Sequence, residues 1–443
     1  YALMLSNGDG ISMNKEEASR YYKMAADKGQ INAMYNYALM LSNGDGISVN
    51  KEEACRYYKM AADNGDIDAM YGYGFMLSNG EGISQNKEEA SRYFKMSADR
   101  GNLNAMYNYA LMLYEGEGIS MNKEEACRYY KMGADNGDID AMYNYGVKLY
   151  QGDGISINKE EACRYYKMAA DKGQIDAMYN YALMLSNGEG ISMNKEEASR
   201  YYKISADKGQ IEAMYNYALM LSNGDGISMN KEEACRYFKM AADNGDIAGI
   251  YNYGLMLYQG EGISMNKEEA CRYFKMAADK GYINAINSYG AMLYEGEGIS
   301  MNKEEGCRYF KMAVDKGNID AMHNYGFALI SGEGIPMDKE EASRYFKIAA
   351  DKGHIDSMIN YGLLLAKGEG VSKNKEEARR YFKMAANKGD IVGMNNYDRM
   401  LEEEDDDDDE EMNEEDDDDD EEMNEEEDLD EKMNAPSRWN KLL

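Results

Sequence analysis

Apolar and polar positions follow one another along this chain at the spacing of helices. In the stretch from Ile31 to Gly65, Ile31, Met34, Tyr35, Ala38 and Leu41 recur every three or four residues, which predicts a first helix, helix A, from Ile31 to about Ser42. Asn43-Gly44-Asp45-Gly46 then stops it, because glycine takes the left-handed conformation that ends a helix. Helix B begins at Asn50, whose side chain accepts from first-turn amides while Glu53 reaches back in a capping box. Ala54, Tyr57, Tyr58, Ala61 and Ala62 form its apolar stripe, Glu52 and Arg56 an i,i+4 ion pair, and Gly65 its end. The unit is an antiparallel helix pair.

The same pattern returns every 36 residues without insertion or deletion from Tyr1 to residue 396, giving eleven periods. A helix pair cannot bury its apolar face alone, so the copies must stack on one another. The expected fold is an all-α solenoid of eleven 36-residue repeats (1–401), closed by a C-terminal capping helix from Ile391 to about Glu404. The columns of Gly8, Gly10 and Gly29 hold 33 of the 44 glycines, all at helix ends. Those of Ala18, Ala26 and Ala33 stay small, as close helix crossing requires. The chain opens at Tyr1, part-way through a repeat and without Met, so we read it as a fragment, with room for an N-terminal signal ahead of it.

Charge divides the chain. The formal net charge is −33, but residues 402–443 hold 25 of the 82 acids and three basic residues, leaving that tail at −22 and the repeats at −11. Residues 402–431 are nearly all Asp and Glu; like charges repel, and the expectation is a disordered acidic tail apart from some helical extension beyond Leu401. Residues 432–443 carry the only tryptophan, Trp439, beside Arg438 and Lys441, and form a candidate short motif. This balance argues against nucleic acid, whose phosphates need clustered Lys and Arg, and against an anionic membrane surface. No stretch has the 18 consecutive apolar residues of a membrane span.

Gly44-Asp45-Gly46-Ile47, Asn50, Ala54, Tyr57-Tyr58, Ala61-Ala62-Asp63, Gly65 and Ala69 together resemble the Sel-one-like repeat family, short relatives of the tetratricopeptide repeat. Tyr37, Glu53 and Met60 depart from its usual Leu, Lys and Lys. The resemblance, which covers residues 1 to about 401, implies a right-handed superhelix with helix A on the concave side. It further implies a scaffold or adaptor that assembles other proteins.

Catalysis finds little support. The two histidines, His323 and His354, stand in unrelated columns, and near-identical copies elaborate no pocket. Cys55, Cys127, Cys163, Cys235, Cys271 and Cys307 share one column with Ser19 and Arg379, so nothing there requires sulfur. Equivalent positions stack about 10 Å apart, too far for a disulfide, and free thiols in a reducing, cytoplasmic setting are expected. The acid between the first two glycines of each repeat, such as Asp45 or Glu81, is expected to pair with a nearby Lys or Arg, for instance the Arg20 column. No cofactor, metal or small-molecule substrate is expected.

The candidate site is a ladder of amides on the helix A face: Asn36, Asn108, Asn144, Asn180, Asn216, Asn252, Asn324 and Asn360, interrupted by Gly72 and Ser288. Paired donors and acceptors at a regular rise suit the backbone of an extended peptide. The acids Asp140, Asp176 and Glu212 four positions before them favour a basic one. The expected function is therefore a non-catalytic protein-binding scaffold. One alternative is a binder of basic proteins, or a cation buffer, that works through its acidic tail; a secreted hydrolase-like repeat protein ranks last. Identical copies invite register slippage, and the divergent stretch 325–396, with Ile330, Ser331, Lys367 and Lys373, is the expected place for discrimination.

Overall fold

The computed structural model describes residues 1–10 and 12–411. The remainder of the acidic stretch and the segment 432–443 lie outside the described residues. Those described form twenty-three α-helices and no strand, in helix pairs that repeat as an all-α solenoid of eleven units. They divide into two compact bodies, Tyr1–Met229 and the described residues from Asn230 onward. The first runs from the half-helix Ala2–Asn7 to Ile211–Asn223, the second from Lys231–Asp243 to Ile391–Glu411.

Helix A of the reference repeat spans Ile31–Asn43 and helix B Lys51–Asp63. Asn50 caps helix B, its Oδ1 accepting from the Glu53 amide at 3.0 Å. The other half of the expected box differs. The Asn50 backbone N–H donates to Leu41 O at 3.0 Å, across the loop, so Glu53 meets the Asn50 side-chain amide instead, at 3.2 Å. That backbone bond fixes the turn between the two helices.

Inter-repeat packing explains the second glycine column. Gly82 has φ 68°, and a Cβ there would lie 2.2 Å from the backbone carbon of Lys51, at the start of helix B one repeat earlier. The loop acid works at the same junction. Glu81 pairs with Lys51 at 2.8 Å and Asp153 with Lys123 at 3.0 Å, whereas Arg20 turns to Glu16 in its own helix at 2.6 Å. Lysine wins because its column lies beside the next repeat's loop, while the arginine column faces solvent one turn along.

Tyrosine supplies both bulk and polarity. Tyr37 and Tyr57 pack edge to face at 4.9 Å, and the Tyr57 hydroxyl donates to Asp27 of the preceding repeat at 2.7 Å, with Lys23 Nζ 3.3 Å from the same oxygen. Tyr165 with Asp135 and Tyr381 with Asp351 repeat the link. The small columns sit at the crossings: Ala54 and Ala69 are fully buried. All six cysteines are free and buried, deeper than a surface position, and burial pushes the thiols of Cys55, Cys163, Cys235, Cys271 and Cys307 up to about 11.

In the second body the helix Ile283–Glu295 touches Ile319–Ser331 directly, past the intervening helix B. There Asn324 Nδ2 donates to Asn287 Oδ1 at 2.9 Å, so helix A lies on the inner side of this body. The last helix, Ile391–Glu411, continues beyond the expected end near Glu404 and takes in the first acids of the tail.

Candidate functional site

A helical residue reaches the turn before it, and the asparagine ladder shows the consequence. Asn36 Nδ2 donates to Asn32 O at 2.6 Å, Asn108 to Asn104 O at 2.8 Å, Asn144 to Asp140 O at 2.9 Å, Asn216 to Glu212 O at 2.9 Å and Asn252 to Ala248 O at 2.8 Å. Such bonding to the i−4 carbonyl is the usual local competitor for a polar side chain in a helix. One N–H of each of these amides is thus spent within helix A, and the Asn216 amide also reaches the Tyr179 hydroxyl of the preceding repeat at 3.5 Å. What the ladder presents is the amide oxygen.

Asn144, Asn180 and Asn216 do not stand alone. Each lies against a tyrosine of the preceding repeat, Tyr107, Tyr143 and Tyr179, and the acids Asp140, Asp176 and Glu212 approach the same three rings. Burial pushes these hydroxyls up, the carboxylates push the same way, and the asparagine amides oppose them. The acids themselves are exposed. Asp176 also accepts from Gln210 Nε2 at 2.9 Å, and Asp68 from Asn102 Nδ2 at 2.9 Å, so part of the acidic column links neighbouring repeats. The resulting surface is a series of half-buried tyrosine–asparagine pairs edged with carboxylates. Spacing within one repeat conceals the tyrosine, because it comes from the copy before.

In the second body the ladder sinks inward. Asn324 and Asn360 are buried, Asn324 holding Asn287 and Asn360 keeping an oxygen without a hydrogen bond among the described residues. Neither faces a ligand as the sequence suggests.

The two histidines, assigned to unrelated columns, stack with ring centres 4.7 Å apart. The same two columns meet at Tyr251 and Tyr282, 5.1 Å apart, so a separation of 31 residues was the available signal. Ser357 Oγ lies 3.0 Å from Nδ1 of each ring, and His354 Nδ1 also caps the Ser357 amide at 3.1 Å. His354 Nε2 is 3.6 Å from Asp320. This resembles a Ser-His-Asp set in composition only: Ser357 is fully buried and unreachable by a substrate. Burial, helped by His354, holds His323 down to about 3. The cluster caps a helix.

Among the described residues no group of three His, Cys, Asp or Glu is arranged to hold a metal, and no helix is long and apolar enough to cross a membrane. The Sel1 repeat profile matches eleven consecutive segments, 1–30, 31–66, 67–102, 103–138, 139–174, 175–210, 211–246, 247–282, 283–318, 319–354 and 355–390. Among solved structures the fold is similar to c5321, a protective antigen of uropathogenic Escherichia coli with an SLR fold, at 23% identity and TM-score 0.85, over 91% of this chain and 86% of that one. A Sel1 repeat protein from Oxalobacter formigenes matches at 23% identity and TM-score 0.54, over 70% of this chain and 90% of the other. No curated protein matches the chain in sequence.

Proposed function

Because the chain belongs to the Sel1 repeat family, we propose that it is a non-catalytic scaffold or adaptor that holds protein partners along its helix A face. Repeat folds of this kind commonly serve as protein-interaction scaffolds. The observation that carries the finer reading is the recurring set of a half-buried tyrosine, an asparagine against it and an exposed acid at Tyr107/Asn144/Asp140, Tyr143/Asn180/Asp176 and Tyr179/Asn216/Glu212, with the amide oxygen left over at Asn144 and Asn216. Such a surface accepts hydrogen bonds and attracts positive charge. It suits an extended peptide with free backbone N–H groups and basic side chains.

The test is a pull-down at about 0.15 M and about 0.5 M salt, either side of the point where exposed charges are well screened. The baits are the full chain, residues 1–401, and the full chain with Asn144, Asn180, Asn216 and Asn252 replaced by Ala. Partners kept by 1–401 at the higher salt and lost with the alanines support the reading. Partners that require residues 402–443 and vanish at the higher salt overturn it in favour of capture by the acidic tail.

A further inference from the structure

One copy of the repeat combines three departures on the helix A face in one helix. In Ile283–Glu295, Ser288 replaces the ladder asparagine, which only Gly72 also lacks, Ala291 stands in a column otherwise filled by Leu, Val, Phe and the terminal Arg399, and Glu295, like Glu115, replaces the usual polar amide. Ser288 and Ala291 are one turn apart, so both losses of volume fall at the same place. They open a hollow lined by Tyr258, Phe274, Ser288, Ala291, Met292, Glu295 and Glu297. It measures about 250 Å³ counted together with the open solvent at its mouth, and about 10 Å³ of it in all admits the centre of a water, close to the threshold for one.

Two polar groups there lack partners. Ser288 is 1% exposed and its Oγ makes no hydrogen bond; the Tyr251 hydroxyl is near enough to feel it, but no bond closes. A buried hydroxyl left so costs about 1–3 kcal/mol. Glu295 has no ion pair or hydrogen bond among the described residues, and burial first, then the Glu297 and Glu333 carboxylates, pushes its carboxyl up against the opposing pull of Lys303. Its neighbours are already engaged. Glu297 accepts from Tyr258 at 2.6 Å and Lys267 at 2.8 Å, and Glu333 from Lys303 and Tyr294. The free acceptors are therefore one buried hydroxyl and one exposed carboxylate, in a hollow also lined by the rings of Tyr258 and Phe274, 6.3 Å apart.

We infer that this hollow seats one lysine side chain of a peptide docked along the helix A face. An ammonium group is the size of a water and fills the enclosed end, where Ser288 Oγ accepts from it. Glu295 neutralises the charge, and Tyr258, whose ring already carries Lys267 Nζ at 5.0 Å, lines the path of the methylenes with Phe274 and Met292. A guanidinium is too broad for that end. The assignment rests on the proposed peptide-binding face and supplies what its uniform copies lack, a single address that sets register. It also moves discrimination away from 325–396, where sequence divergence alone placed it.

The experiment uses the full chain with 13C-methyl methionine and follows the Met292 resonance. The probes are acetyl-Gly-Gly-Lys-Gly-Gly-amide, its norleucine and arginine counterparts, and n-butylammonium chloride. A saturable shift with the lysine peptide, at least ten-fold weaker with norleucine and arginine, is expected. Glu295→Asn should weaken it at least ten-fold and Ala291→Leu should abolish it; both restore residues other copies carry, so helical circular dichroism should be unchanged. No saturable shift from any probe, or an equal one from norleucine, overturns the seat. Binding of n-butylammonium without the lysine peptide also overturns the lysine assignment, in favour of a free amine. Pulled-down partners lost with the asparagine variant but held by Ala291→Leu as by the native chain leave the groove reading standing and overturn this one.

Discussion

His323 gives the protein a local weakness to acid whose size follows from its surroundings. The ring is buried beneath His354, 5.6 Å from Phe346 and 3.0 Å from Ser357 Oγ, and is held neutral down to about pH 3. The acids in this neighbourhood, Asp320 and Asp356, act on His354 and not directly on His323. In the unfolded chain the ring takes up a proton near its ordinary 6.5. The folded pKa is depressed, so below 6.5 the unfolded state binds more protons and stability is lost as pH falls from 6.5 toward 3, while above 6.5 nothing changes. At pH 5 the loss is about 2 kcal/mol, from 1.36 kcal/mol per pH unit over 1.5 units. Repeat arrays open locally, so the assay is hydrogen exchange of peptides covering Ile319–Ser331 and Ile355–Lys367, corrected for intrinsic rates. Between pH 7.5 and 5, protection of these helices should fall about 30-fold, the same 2 kcal/mol expressed as an equilibrium. His323→Tyr, the residue usual in this column, should remove most of that fall. Equal losses in both proteins would refute the argument, since His323 would then be protonated or reachable in the fold.

Other outcomes follow from the packing. Gly82→Ala must strain a left-handed residue and displace the Lys51 backbone, and should cost more than about 2 kcal/mol, against about 1 kcal/mol for Gly101→Ala, which meets nothing within 4 Å; thermal melts of the two variants decide. Tyr129→Phe removes the hydroxyl shared by Asp99 and Lys95 and should lower stability by about 1 kcal/mol, with little further loss on adding Asp99→Asn in a double-mutant cycle. A disulfide reagent at pH 8 should leave all six thiols of the native chain largely unmodified and label all six in denaturant.

The helices, their glycine stops and the caps at Asn50 and its equivalents were legible because each depends on residues within one turn. What spans a repeat junction was not. The loop acids chose Lys51 over the arginine column, the histidines met across a 31-residue offset, and the Tyr107 hydroxyl joined Asn144, all because columns of successive copies interlock. The Asn ladder was visible as a stripe, but periodicity says nothing about whether an amide turns outward or back to its own helix, as Asn144 does. The hollow at Ser288 was marked in the sequence only as a missing asparagine. Its meaning needed Ala291 on the same turn and Tyr258 from the copy before.

The contact between Gly82 and the Lys51 backbone constrains how such a gene can change. Each loop is a key cut for the helix start one copy earlier, and a deletion that is not a multiple of 36 codons would leave one key without its lock. Recombination between copies in register removes or adds a whole unit and leaves every junction matched. The length of the array is then free to drift in steps of one repeat, while its phase is locked, which accords with eleven copies that never gain or lose a residue.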